Sequence, residues 1–100
     1  MAEAEVRAGE ASELLFLALS SLETPEEATA LLRDLCTTRE IEDLSQRLQV
    51  AALLSEGRSY ADVIRATGAS STTVSRVSKC LNGEVGGYRL VLGRVRGGSA

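Results

Sequence analysis

Residues 57–82 read GRSYADVIRATGASSTTVSRVSKCLN, and they decide the fold. Two short apolar-periodic segments, Tyr60 to Thr67 and Ser71 to about Leu81, flank Gly68, Ala69 and Ser70. A glycine at the end of the first segment supplies the positive φ that stops a helix and reverses the chain. Ser59 stands three residues before Asp62, the spacing of a capping box with Asp in the acidic role, and Ser70 is placed to cap the second segment. Val63 and Ile64 on the first segment, and Val74, Val77 and Leu81 on the second, give each helix one apolar side. Two amphipathic helices joined by a tight glycine turn predict a helix-turn-helix over Ser59 to Leu81.

The outward side of the second helix carries the chemistry. With Val74, Val77 and Leu81 turned inward, a step of about 100° per residue puts Thr72, Ser75, Arg76 and Lys79 on the opposite side. Ser71 then lies at the exposed helix start. Hydroxyls bond base edges and phosphates, Arg bonds a guanine in two places, and Lys neutralises phosphate. Arg58, Ser59 and Ser70, at the starts of the two helices, complete the candidate DNA-contacting set, since a helix N-terminus offers free backbone N–H groups to a phosphate. Serines and threonines also cap helices with no other role, and Arg76 and Lys79 would equally suit a solvated face. Two features favour DNA. From Ala66 to Asn82 there is no carboxylate, and the charge is split along the chain. Residues 1–56 hold twelve acidic side chains against four arginines, a net of −8, whereas residues 57–100 hold seven basic against two acidic, a net of +5. The overall charge of −3 hides a C-terminal half suited to a polyanion.

Upstream, Thr24, Pro25 and Glu27 form a helix start, with Thr24 as cap, Pro25 first in the helix and Glu27 closing a capping box, and this helix runs to about Leu35. Thr37 and Glu40 repeat the spacing and open the longest helix, which reaches about Glu56 with Ile41, Leu44, Leu48, Ala51 or Ala52, and Leu54 as its apolar face; Gly57 ends it. A first helix spans Glu10 to about Leu22. Its residues Leu14 to Leu19 are apolar around the whole circumference, so it must be buried on all sides. A chain of 100 residues cannot easily surround a peripheral helix, so we read it as inserting into a second copy; an ordinary central core helix is the alternative. Residues 1–9 are expected to fray, 10–96 to form a single helical domain, and 97–100 to be a flexible tail. Residues 88–95 fit either a short helix or an extended segment.

Composition narrows the classes. Hydrophobic residues are 44% of the chain and aromatics 3%, so the core is expected from Leu, Val, Ile and Ala in packed helices, an all-α fold. There is no His, and Cys36 and Cys80 stand far apart, which points away from zinc sites and a disulfide framework and toward buried thiols in a reducing cytoplasm. No metal or cofactor is expected. The longest apolar run, Leu14 to Leu19, is too short to span a bilayer, and the acids before it do not suit a signal peptide. With no nucleophile motif or phosphate loop, an enzyme is not expected.

The segments Leu31 to Arg47 (LLRDLCTTREIEDLSQR), Gly57 to Asn82, and Gly86 to Leu92 (GGYRLVL) together resemble the Trp-repressor-like YerC/YecD family, over about two thirds of the chain. The resemblance implies an all-helical, intertwined homodimer with two helix-turn-helix heads and a role in regulating transcription. Arg47 and Arg76 look similar to the two arginines flanking the tryptophan pocket of Trp repressor, which makes them candidates for holding an anionic effector. Where that repressor has a glycine beside the second arginine this chain has Val77, and where it has a pocket serine this chain has Cys80. A branched side chain in that gap excludes the indole, so a tryptophan response is not expected. Thr38 stands where the family usually has Pro, which touches only the start of the long helix. The competing function is a protein-interaction module that uses the acidic N-terminal half.

Overall fold

A computed structural model describes residues 8–97, and these residues are helical with no strand among them. Helix α1 (Ala8–Ser20) starts two residues ahead of Glu10 and stops short of Leu22. Residues 1–7 of the stretch expected to fray, and residues 98–100 of the expected tail, lie outside the described residues. Helix α2 (Pro25–Leu35) begins as its sequence dictates: Thr24 Oγ1 accepts from the Glu27 N–H at 3.1 Å. The Glu27 carboxylate reaches one residue further back than an ordinary capping box and accepts from the Glu23 N–H at 2.9 Å.

Helix α3 (Thr38–Ser55) is followed by the αL residue Gly57, then by α4 (Tyr60–Thr67) and α5 (Ser71–Leu81). The stretch left open by its sequence is helical. Helix α6 (Gly87–Leu92) continues into a π-helical turn, Gly93–Gly97. Helices α1 and α2 belong to one compact unit, and the chain from Arg39 onward forms another.

The second unit has a core of small, mostly β-branched side chains. Val50 and Ala51 of α3, Val63 of α4, Ala69 of the turn, and Val74 and Val77 of α5 are buried, with Leu53, Leu54, Ile64, Tyr88 and Leu92 packed around them. The apolar face expected along α3 is only partly used. Burial falls on Val50 and Ala51, whereas Leu44 and Leu48 stay exposed in the single chain. The core contacts of α3 are concentrated in its C-terminal half, at Val50, Ala51, Leu53 and Leu54. Cys36 is half-buried and Cys80 is exposed, so the expectation of two buried thiols fails for Cys80, which sits on the rim of α5. In the first unit, α1 leaves Leu14, Phe16 and Leu17 more than 60% exposed.

Candidate nucleic-acid interface

The turn between α4 and α5 is built from local bonds. Ser59 accepts from the Asp62 N–H at 3.1 Å and starts α4, and Gly68, at φ 73°, ends it. The Asp62 carboxylate does not complete a capping box; it pairs with Arg65 one turn along the helix. Thr67 Oγ1 donates to Val63 O at 2.7 Å and accepts from the Ala69 N–H at 3.1 Å, which fixes the backbone through the reversal. Gln46 Nε2 donates to Thr67 O at 3.3 Å and ties the corner to α3. Ser70 then caps α5 by accepting from the Thr73 N–H at 3.1 Å.

These bonds set the rotation of α5. Val74, Val77 and Leu81 are buried, and Ser71, Thr72, Ser75, Arg76 and Lys79 are exposed, as helical spacing requires. Those five polar residues share one open concavity of about 550 Å³ with Tyr60 from the first turn of α4. Tyr60 escaped the sequence reading because a lone exposed aromatic at a helix start carries no periodic signal; only the fold brings its ring to the α5 face. The other three candidates sit apart from this concavity. The Ser59 and Ser70 hydroxyls are engaged as caps, and Arg58 lies 3.9 Å from the carboxylate of Glu56. Glu56 is shared, since Arg96 of the C-terminal turn approaches its other oxygen at 2.5 Å.

A second, inner cavity of about 310 Å³ is lined by Arg47, Thr73, Arg76, Val77, Cys80 and Tyr88. The fold thus brings together Arg47 and Arg76, distant in sequence, over a wall that includes the branched Val77. Arg76 borders both this cavity and the outer concavity.

Residues 10–96 match the family model described as Trp repressor protein. The chain belongs to the Trp repressor family. It is 43% identical over 88 residues to the uncharacterized protein YerC of Bacillus subtilis (strain 168), covering 88% of this chain and 85% of that protein. Among solved structures it is similar to a TrpR-like protein from Eubacterium eligens ATCC 27750, with a TM-score of 0.78 and 46% identity over 85% of this chain and 88% of that one. It is also similar to a proposed Trp repressor from Staphylococcus aureus, with a TM-score of 0.80 and 40% identity over 95% and 94% of the two chains. The Trp repressor family is one of DNA-binding regulators rather than enzymes, and the chain shares its all-helical fold. No helix among the described residues is long and apolar enough to cross a membrane.

Proposed function

We propose that this chain is a sequence-specific transcriptional regulator that binds duplex DNA as a homodimer and works in the cytoplasm. One observation carries the reading: the buried and exposed residues of α5 separate cleanly, leaving Ser71, Thr72, Ser75, Arg76 and Lys79 around one concavity on a stretch without carboxylates. Arg76 and the hydroxyls read base edges, while Lys79, Arg58 and the backbone N–H groups behind the Ser59 and Ser70 caps hold phosphates. The dimer rests on α1, whose exposed Leu14, Phe16 and Leu17 need an apolar partner that a second copy supplies. Residues 10–96 act as one DNA-binding domain within that dimer. Two α5 helices related by a twofold axis enter successive major grooves about 34 Å apart on a palindromic site.

Selection of bound duplexes from a random pool tests binding, symmetry and spacing together. The expected product is an inverted repeat whose affinity falls steeply with salt, because each neutralised phosphate releases counterions. Absence of binding at low salt refutes the reading and leaves the acidic-half interaction module in its place. Arg47 and Arg76 across the inner cavity suit a small anionic effector, and Val77 in its wall bars tryptophan. Isothermal titration with tryptophan is expected to show no saturable heat at micromolar concentration; a saturable signal overturns this part.

A further inference from the structure

Helix α5 is closed at its C-terminus by two sets of donors. Local groups serve two carbonyls: the Asn82 N–H and Nδ2 reach Ser78 O at 3.0 and 2.9 Å, and the Gly83 N–H reaches Cys80 O at 3.1 Å. The carbonyls of Leu81 and Gly83 are served instead from the next helix, where Arg89 Nη1 donates to Leu81 O and, at 2.9 Å, to Gly83 O. The turn is shaped around that guanidinium. Gly86 has φ 81°, and a Cβ there would come within 3.1 Å of Arg89 Nη2. The neighbours of Arg89 on α6, Tyr88 and Leu92, pack against the buried core. A line of contact therefore runs from the core through α6 and Arg89 to the last turn of α5, which carries Lys79 and follows Arg76. A cation at this end also complements the partial negative charge of the helix terminus.

We propose that Arg89 is a positioning residue for the DNA-facing helix, fixing the C-terminal end of α5 without itself touching DNA. The DNA part of the proposal rests on the function proposed above. Losing a charge-assisted bond that serves two carbonyls leaves them to water and frees the last turn to fray.

The test compares the wild-type protein, Arg89→Ala and Arg89→Lys. Amide hydrogen exchange is read across α5 and α3, and affinity for a mixed-sequence DNA duplex is read over a series of salt concentrations. In Arg89→Ala the last-turn amides of α5 should exchange about tenfold faster while Val50 and Ala51 of α3 keep their protection. Affinity should fall about tenfold, with the dependence of log affinity on log salt unchanged. Lysine, able to serve one carbonyl at a time, should recover part of both losses. Unchanged exchange in Arg89→Ala overturns the brace. A salt slope reduced by about one overturns it too, because that marks a direct phosphate contact. If wild-type protein fails to bind the duplex, the DNA reading falls by itself; faster exchange then still upholds the brace and unchanged exchange still overturns it.

Discussion

Helices α1 and α5 are of similar length, 13 and 11 residues, yet they stand in opposite relations to the rest of their chain. Helix α5 has two unlike sides, and the single chain satisfies both: Val74 is fully buried while Arg76 and Lys79 face water. The Leu14 to Leu19 stretch of α1 is apolar all round, and the single chain leaves Phe16 64% and Leu17 63% exposed. A helix with two unlike faces shows where its neighbours lie. A helix with one kind of face shows only that it needs more neighbours than the chain provides.

The largest expected effect comes from breaking α1. Each of its apolar side chains contributes about 1.5 to 3 kcal/mol when buried, and an unpaired carboxylate at such a site costs more still. Leu17→Glu is therefore expected to sediment as a monomer and to lose DNA binding, whereas a dimer that survives at micromolar concentration breaks the assignment of α1 to a partner copy. On the inward side of α5, Val74→Ala should cost about 2.5 kcal/mol in urea unfolding. On the outward side, Arg76→Ala should change unfolding by less than about 0.5 kcal/mol and weaken DNA binding by about 2 kcal/mol. If Arg76→Ala unfolds the protein instead, the two sides of α5 are not separable as drawn. Smallest is Ser59→Ala, which removes the α4 cap and should lower stability by about 1 kcal/mol, seen as a modest drop in Tm.

What could be read from the chain alone follows from the range of the forces involved. The caps at Thr24, Ser59 and Ser70 and the αL glycine at 68 are decided within four residues, so their sequence spacing suffices. The α5 faces follow from helical periodicity for the same reason. The apolar period of α3 is legible in the sequence, but whether Leu44 and Leu48 are covered depends on long-range partners that the period does not name. Residues 88–95 fit two readings in sequence because their helix is held by groups outside it, with Arg89 on Leu81 and Arg96 on Glu56. Tyr60 joins the α5 face only through the tertiary fold. Arg47 and Arg76 are linked by the family resemblance alone, since no local signal in the sequence joins them.

The position of Arg76 between the inner cavity and the outer face has a thermodynamic consequence. One guanidinium lines both cavities, so under the proposed function a ligand that engages it in the smaller one changes the free energy left for DNA. Coupling of this kind is symmetric: if a cavity ligand alters DNA affinity by some factor, DNA alters the affinity for that ligand by the same factor. Under the proposed function an operator duplex therefore serves as a reagent: a small molecule that engages Arg76 from this cavity should bind with an affinity that shifts when DNA is added.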